Sequence, residues 1–406
     1  MINALLARTG GVALAATLLI ALPTAAQADA TIDWNVKASE LVADAKLGTP
    51  PAVRVLAIAH TAAYEALSVL DRTGARTPTG PASDAAIAAA HRVTLTKLLP
   101  SQKATIEAVY GAVLAQIEDG PARQFGIEAG ERAAADVLAR RSEDSSMPAA
   151  TFRPHSTPGA WVPTAEPAAL QWPQRKPWLM KHAAQFRPGS PTALGSDNWA
   201  RDYNEVKAIG ARASRLRTAE QTEIARFWEY SMPSIYYGVV QSVARTPGRD
   251  ALRNARLYAA VAQAMDDAMI GVFDSKYHYL FWRPATAIRN GDLDGNSATE
   301  RDPSWSPLSD APLHPEYPSA HSILAAAVGT VLSAEIGAGP APVLVTTSPT
   351  AKGVVRRWRN VEDFIAEVAD ARVYEGIHFR TSTQVGIEMG RRIGQLAVTA
   401  LLEPQP

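Results

Sequence analysis

Helical periodicity dominates this chain, and strand-like alternation is scarce. Apolar residues recur at helical spacing in nine segments: residues 53–70, 85–99, 104–117, 122–138, 221–230, 250–272, 322–336, 361–374 and 385–401. Only residues 342–347 alternate, weakly, in the manner of a strand. With 406 residues, of which 47% are hydrophobic and 20% charged, the chain can bury a large core. The sequence therefore predicts an all-α, multi-helix bundle.

The N-terminal end has the features of a secretory signal peptide. Arg8 supplies a weak positive charge, residues 10–22 are apolar, and Ala26-Gln27-Ala28 is typical of a cleavage site. The apolar stretch is shorter than the roughly 17–25 residues that span a membrane, and no later segment is expected to be long and charge-free enough. We therefore expect residues 1–28 to be removed, which leaves an exported protein, periplasmic or secreted, without an integral membrane segment.

The mature chain is predicted to contain two helical regions. Residues 29–195 form an N-terminal region that ends in a loop rich in proline and tryptophan, and residues 196–406 form a C-terminal region. The loop, residues 148–191, contains nine prolines and three tryptophans, and a loop of this length inside a compact protein is usually functional. We expect it to form a packed lid or a pocket wall.

Charge and cysteine content narrow the class of function. Forty basic and forty acidic side chains cancel, and no basic tract indicates a nucleic-acid partner. Affinity for an anion must then come from a few basic residues gathered locally. The chain has no cysteine, so it has no disulfide bonds and no thiol that an oxidant would attack.

A first segment near the C-terminal end supplies two cations. It reads Lys276-Tyr-His-Tyr-Leu-Phe-Trp-Arg283-Pro284. Lys276 and Arg283 are seven residues apart, so on one helix they would share a face. Pro284 would end or kink that helix, because proline lacks an N–H group. Arginine offers a planar fork of donors and lysine a compact charge, and both suit an oxyanion.

A second segment predicts the start of a helix. In Pro318-Ser319-Ala320-His321 the proline precedes an apolar run, so the N–H groups of Ser319 and Ala320 would point outward, where the helix dipole favours an anion. His321 lies one position further in, where it can give or take a proton. The segment therefore combines anion binding with acid–base chemistry.

The third segment runs from Arg372 to His378. The two residues are six apart, about 240° around a helix, so one straight helix cannot direct both to the same place. Gly376 offers a break between them. We therefore place Arg372 near the end of one helix and His378 in the turn before the next.

Together the three segments resemble the signature of the superfamily that joins vanadium-dependent haloperoxidases to class A non-specific acid phosphatases and type 2 phosphatidic acid phosphatases. The pattern of that superfamily is K-x6-R-P, then P-S-G-H, then S-R-x5-H-x3-D. The match spans residues 276–378, about a quarter of the chain. The resemblance implies the helical bundle of the superfamily and a site that binds vanadate, for which phosphate competes.

The resemblance also implies a role for each matching residue. Five would bind the oxygen atoms of the anion: Lys276, Arg283, Ser319, Ala320 through its N–H group, and Arg372. His378 would be the axial ligand of vanadium in a peroxidase or the nucleophile in a phosphatase. His321 would be the acid–base group, and Lys276 would also polarise bound peroxide.

Three positions depart from the superfamily pattern. Ala320 replaces a glycine, and Ala371 replaces the serine before the arginine. Ser382 replaces the aspartate that normally orients the histidine and raises its basicity. A serine stabilises an imidazolium poorly, so this change weakens the case for a phosphohistidine more than the case for a vanadium ligand.

His314, seven residues before His321, favours the peroxidase branch. Vanadium bromoperoxidases resemble this sequence in having a second histidine at that position, so His314 is expected to assist catalysis; a loop histidine without a role is the alternative. Glu229 is a candidate for a carboxylate behind one of the arginines.

The sequence therefore predicts an exported vanadate-dependent haloperoxidase-like enzyme that oxidises halide, bromide or iodide rather than chloride, with hydrogen peroxide. One alternative is a periplasmic acid phosphatase that cleaves a phosphomonoester through a phosphohistidine. Another is a non-catalytic protein that binds oxyanions. The oligomeric state stays open.

Overall fold

The computed structural model describes residues 29–74, 80–142 and 151–403. The predicted signal peptide, residues 1–28, lies outside the described residues, as do the first three residues of the Pro/Trp-rich loop. The predicted boundary between residues 195 and 196 is not tested by the structure and stays a prediction.

Helices account for most of the described chain. In chain order they are α1 (Ala30–Asp44), α2 (Thr49–Arg72), α3 (Pro81–Leu98), α4 (Lys103–Leu114), α5 (Pro121–Arg140), α6 (Asp197–Ile209), α7 (Ala219–Trp228), α8 (Ser234–Ala244), α9 (Ala251–Tyr279), α10 (Pro284–Arg289), α11 (Ala320–Ile336), α12 (Val361–Tyr374) and α13 (Arg380–Ala397). A π-helical turn, Val398–Leu402, extends α13. Strands β1 (Leu344–Thr347) and β2 (Val355–Trp358) form an antiparallel pair in which Leu344 faces Trp358. The all-α prediction is confirmed.

All nine segments with helical periodicity lie in helices, and the weak strand signal at residues 342–347 overlaps β1. Four helices were missed: α1, α6, α8 and α10. Helix α8 is rich in tyrosine and valine, which favour strands in isolation, yet its burial against the bundle makes it helical. Helix α10 has only six residues, too few to show a period.

The N-terminal half is built around α2, which packs against α3, α5 and α9. Every side chain from Ala52 to Ala63 is buried; Leu56 and Ala59, for example, are fully enclosed. Helix α5 approaches α3 closely through Gly126 and Gly130, where a Cβ atom would collide with the backbone of α3. This half is therefore a tightly packed helical bundle.

One expectation from the sequence is wrong at α2. By length and mean hydropathy this helix is long and apolar enough to cross a membrane, although no segment after residue 28 was expected to be. Of its most apolar stretch, 78% is buried inside the protein, as in the core helix of a bundle.

The C-terminal half is organised around α9 and α11. Helix α9 has 29 residues and contacts α2, α11 and α13. Three glycines, Gly386, Gly390 and Gly394, let α13 lie against the backbone of α11, because a Cβ atom at each would stand within 3.0 Å of a carbonyl oxygen of the Ser319–Ala327 stretch. This close packing holds the start of α11 beside the start of α13.

The Pro/Trp-rich loop packs over the end of α9, and its role as a lid or pocket wall stays a prediction. Ala160 forms a β-bridge with Phe281, and the N–H group of Ala168 donates to the carbonyl of Leu313 at 2.8 Å. Further along, the carboxylate of Asp267 accepts hydrogen bonds from three consecutive backbone N–H groups, those of residues 178–180. The described part of the loop is thus tied to the residues around the site.

Candidate active site

Lys276 and Arg283 meet in the structure, but not on one helix. Helix α9 ends at Tyr279, and Leu280 adopts a left-handed conformation (φ 50°) that stops it. Arg283 then caps α10, and Pro284 begins that helix rather than ending the previous one. The shared helical face predicted for the two cations is therefore wrong; the turn between two helices brings them together instead.

Helix α11 begins in the predicted segment, but Ser319 is its cap and Ala320 its first residue, so Pro318 precedes the helix. The N–H group of Ser319, expected to face an anion, donates instead to the carbonyl of Ser382 at 3.2 Å. The Oγ atom of Ser319 accepts a hydrogen bond from the N–H group of Ser322, and the N–H group of Ala320 lies at the helix start, where it has no intrahelical acceptor. His321 follows, and its Nε2 atom is buried without a hydrogen-bond partner among the described residues.

Arg372 lies in the last turn of α12, and His378 lies between α12 and α13. Gly376 adopts φ +77°, and a Cβ atom there would stand 2.4 Å from the carbonyl oxygen of Gly210, so both the turn and the close approach require glycine. The N–H group of His378 returns to the carbonyl of Arg372 at 3.3 Å. The predicted break therefore lies where Gly376 indicated.

The guanidinium of Arg283 joins two of the histidines. Its Nη1 atom lies 3.2 Å from Nε2 of His378, and its Nη2 atom lies 3.0 Å from Nδ1 of His314. The same side chain donates to the carbonyls of His314 and Ile377. The Nζ atom of Lys276 donates to the carbonyls of Pro315 and Glu316, at 2.9 and 2.8 Å. The first segment is therefore in direct contact with residues 314–316, just before the second segment, and Arg283 also reaches the third.

The carboxylate behind Arg372 is Glu375, not the Glu229 proposed from the sequence. Nη1 of Arg372 lies 2.5 Å from Oε1 of Glu375 and 2.7 Å from the carbonyl oxygen of Trp228. Glu229 pairs with Arg226 instead, at 3.1 Å. Glu375 lies one turn after Arg372 on the same helix, so the i, i+3 spacing was the available sequence signal.

Sequence reasoning also missed Glu316. Its Oε1 atom lies 2.7 Å from Nδ1 of His378 and accepts a hydrogen bond from the N–H group of Phe379 at 3.1 Å. It is the one acidic residue between His314 and His321. Because Ser382 carries no charge at the position of the aspartate, another carboxylate was needed. The single acidic residue next to the second segment, Glu316, was therefore the sequence signal.

The site has a buried floor and a more open rim. Lys276, Glu316 and Ser319 are fully enclosed, and Arg283, Arg372 and His378 are at most 3% exposed. His314, Ala320 and His321 are half-buried. The cations therefore lie at the bottom, and the rim carries the two histidines expected to handle protons.

Burial lowers the pKa of the histidines of the site and raises the pKa of its carboxyls. Loss of solvent, followed by the neighbouring cations, lowers the pKa of His314, His321 and His378 well below the usual value. Burial raises the pKa of Glu316 to about 7, although Arg283 and Lys276 oppose the rise. It raises the pKa of Glu375 to about 8, with Arg372 opposing. The histidines are therefore neutral, as a metal ligand or a nucleophile requires.

These residues suit an oxyanion. Arg283 and Arg372 give the floor of the site a positive charge, because the two buried carboxyls are only partly ionised near neutral pH. Burial, followed by Arg283, lowers the pKa of Lys276 well below its usual value, and a bound anion would favour its charged form again. The Nε atom of Arg372 is buried without a hydrogen-bond partner among the described residues, as is Nε2 of His321. An anion of vanadate or phosphate size would accept a hydrogen bond from Nε of Arg372 and offset the charge.

Comparison with known proteins shows a match in the C-terminal part of the chain. Residues 256–404 match the family described as the VCPO second helical-bundle domain. No curated protein is significantly similar to the chain in sequence.

Solved structures of bacterial enzymes share the whole fold. The structure described as the first bacterial vanadium-dependent iodoperoxidase aligns with a TM-score of 0.73 at 22% identity, over 92% of this chain and 95% of that one. An apo-type bacterial vanadium-dependent chloroperoxidase aligns with a TM-score of 0.69 at 16% identity, over 86% of this chain and 92% of the other. The resemblance seen in the three segments is thus confirmed: this chain has the fold of the vanadium haloperoxidases, and its residues 256–404 match the second helical bundle of that group.

Proposed function

We propose that the chain is an exported vanadate-dependent haloperoxidase that oxidises bromide or iodide with hydrogen peroxide. The observation that carries this proposal is the junction at Arg283, where one buried guanidinium contacts both His378 and His314. It places a neutral histidine, suited to be an axial ligand, beside the floor of cations. It also links that histidine to His314, at the rim.

The cations bind and orient the anion in this proposal. Arg283 and Arg372 present planar forks of donors, Lys276 adds a third positive charge, and Ser319 and the N–H group of Ala320 add neutral donors at the start of α11. Bound vanadate supplies a Lewis-acidic centre that binds and activates peroxide. His378 would hold vanadate through Nε2, and Lys276 would contact and polarise its oxygen atoms.

His321 is the acid–base group, which takes a proton from peroxide. Its imidazole is neutral, and its buried Nε2 atom has no hydrogen-bond partner among the described residues, so it can accept a proton from incoming peroxide. A bound anion offsets the charges of Arg372 and Lys276, which are among the causes that lower the pKa of this histidine. Binding therefore makes His321 a better base, and the proton it takes can be returned to the product.

His314 carries the proposed halide preference. Its ring packs edge-on against Phe273, with centroids 5.3 Å apart, and it accepts a hydrogen bond from Arg283 through Nδ1. A half-buried ring at the rim gives a large, weakly hydrated halide an apolar and polarisable surface, which supports bromide or iodide over chloride. The export proposal rests on the N-terminal segment, residues 1–28.

A phosphatase is the second candidate, and one observation favours it. The missing aspartate at Ser382 had counted against a phosphohistidine, but Glu316 contacts His378 and supplies a carboxylate of the kind that this chemistry needs. In that reaction His378 attacks phosphorus, His321 protonates the leaving group and the three cations stabilise the transition state. A protein that binds oxyanions without turnover is the third candidate.

Vanadate-dependent halide oxidation tests the proposal. Mature protein prepared without phosphate is reconstituted with vanadate, and peroxide-dependent bromination and iodination of an organic acceptor are measured, with apo protein and His378→Ala as controls. We expect activity that needs both vanadate and His378. If halide is not oxidised but phosphomonoesters are cleaved, the phosphatase is correct. If neither reaction occurs while vanadate still binds, the chain is a binding protein.

A further inference from the structure

Ser382 stands where the superfamily pattern has an aspartate, but it does not orient His378. It lies in the first turn of α13, buried, and its Oγ atom makes no well-formed hydrogen bond with any described residue. The hydroxyl lies beside the carboxyl of Glu316, whose pKa it helps to lower as the weakest of several causes. Another group must therefore hold the imidazole in place.

Two contacts specify the same tautomer of His378. Nδ1 lies 2.7 Å from a carboxylate oxygen of Glu316, which accepts hydrogen bonds, so this nitrogen carries the proton. Nε2 lies 3.2 Å from Nη1 of Arg283, and a guanidinium can only donate, so this nitrogen keeps its lone pair. Since the two partners lie on opposite sides of the ring, they also fix its orientation.

Glu316 is itself held firmly. Its N–H group donates to the carbonyl of Phe281 at 2.9 Å, and its own carbonyl accepts from Lys276 at 2.8 Å. Its Oε1 atom also accepts the N–H group of Phe379, the residue next to His378. One residue therefore connects the lysine segment to the turn that carries the histidine.

We propose that Glu316 is the positioning residue of His378: it takes the place of the missing aspartate, keeps Nδ1 protonated and so leaves the lone pair on Nε2, which faces Arg283 in this structure, for the bound oxyanion. The proposal rests on the proposed function, in which His378 is the axial group. It assigns the orienting carboxylate to the loop before α11, in a different segment from the histidine, whereas the superfamily pattern places it on the helix that follows the histidine.

Moving the carboxylate tests this assignment. Glu316→Ala should weaken vanadate binding about 10–100-fold, the usual effect of losing the partner of a metal-binding histidine. Glu316→Gln keeps an oxygen acceptor without the charge, so we expect a smaller loss and an unchanged tautomer. Ser382→Asp alone should give no gain, because its carboxylate would lie beside that of Glu316. The double variant Glu316→Ala/Ser382→Asp should recover most of the lost affinity.

Two measurements test the positioning role of Glu316 without an activity assay. Calorimetric titration with orthovanadate gives the dissociation constant of each variant, and ¹⁵N NMR of the imidazole nitrogens in the apo protein gives the tautomer of His378. Glu335→Gln is the matched control, since Glu335 is a buried carboxylate that pairs with Arg249 and Arg253 and makes no contact with the site residues. Circular dichroism establishes that each variant is folded.

The expected result is weakened vanadate binding in Glu316→Ala and a shifted ¹⁵N resonance of Nδ1, which loses its carboxylate partner, while Arg283 still holds the lone pair on Nε2. Both changes should be reversed in the double variant, and neither should occur in Glu335→Gln. The proposal is overturned if Glu316→Ala keeps the Nδ1 resonance and the affinity, or if the double variant is no better than Glu316→Ala. Should the wild-type protein bind vanadate but oxidise no halide, the proposed peroxidase fails while this test still stands.

Discussion

Two groups of buried histidines, one in each half of the molecule, have similar acid–base behaviour and opposite surroundings. In the N-terminal half His60 and His91 lie with ring centroids 5.4 Å apart, and burial lowers the pKa of both, that of His91 to about 4. In the C-terminal half burial also lowers the pKa of His314, His321 and His378, and neighbouring basic side chains lower it further: Lys276 and Arg283 for all three, with Arg372 as well for His321 and His378.

The neighbours distinguish the two groups. His60 is surrounded by rings, with Tyr237 and Tyr258 at 5.4 and 5.3 Å, and its Nε2 atom contacts the amide of Asn35. His91 stacks on Trp34. In the C-terminal half His314 and His378 contact Arg283 instead, and His378 also contacts Glu316. A lowered histidine pKa therefore does not identify an anion site; fixed charges of both signs around the histidine do.

The largest expected difference between the two halves is in anion binding, when one buried arginine of each half is replaced with lysine. Arg283 reaches two histidines and several carbonyls, which one ammonium cannot do, so Arg283→Lys should weaken phosphate or vanadate binding about 10–100-fold. Arg54 lies 2.5 Å from Asp266 through one nitrogen, so Arg54→Lys should lower stability by about 1–2 kcal/mol and leave anion binding unchanged. Equal effects of the two variants on anion affinity, measured by calorimetry, would contradict the comparison.

A second comparison uses glycines that let helices touch. A Cβ atom at Gly390 would meet the carbonyl oxygen of Ile323 at 2.3 Å, and one at Gly130 would meet that of Ala86 at the same distance. Each alanine variant should lose about 1–3 kcal/mol of unfolding free energy, measured by urea denaturation, because the helices must move apart.

Only one of these glycines lies on the helix pair that carries Ser319. Gly390→Ala should therefore also weaken anion binding, whereas Gly130→Ala, on α5, should not. Loss of anion affinity in Gly130→Ala would show that the two halves are mechanically coupled, and the separation drawn here would be wrong.

The smallest expected effect concerns pH. Because the folded pKa of His91 lies below that of the unfolded chain, the unfolded state binds more protons below pH 6.5, and stability falls as pH drops toward about 4. The loss attributable to His91 is about 1 kcal/mol between pH 6 and pH 5. His91→Gln should remove that part of the slope in urea denaturation at the two pH values. An unchanged slope would mean that His91 is protonated in the folded protein.

The carboxyls of the site have the opposite effect on the pH dependence of stability. The folded pKa of Glu316 and Glu375 is raised, so the folded state keeps protons that the unfolded state releases above pH 4.5. Their contribution to stability is complete below that pH and is lost as pH rises through about 7 and 8. A bound anion competes with this effect, because it satisfies the cations that the carboxyls face.

Much of the fold and the membership of the site could be predicted from sequence because the signals are local. The apolar residues that predict a helix are only three or four positions apart, and Gly376 predicts the turn that separates Arg372 from His378. The glycines at intervals of four in α13 were a further local signal of close helix packing that was not used.

The rest depends on contacts between segments distant in sequence. Leu280 has no local preference for a left-handed conformation, and it adopts one because the loop across the end of α9 packs there. Glu316 and His378 are 62 residues apart, so no spacing within either segment indicates their contact. The missing aspartate shows that a carboxylate is needed, but only the folded chain shows where it lies.

The most direct test is a titration of the phosphate-free protein with orthovanadate, followed by displacement with phosphate. The gathered cations predict one anion bound per chain, with phosphate and vanadate competing, and a loss of vanadate affinity in His378→Ala that exceeds the loss of phosphate affinity. Absence of binding, or binding that His378→Ala and Arg283→Lys both leave unchanged, would contradict the assignment of this site.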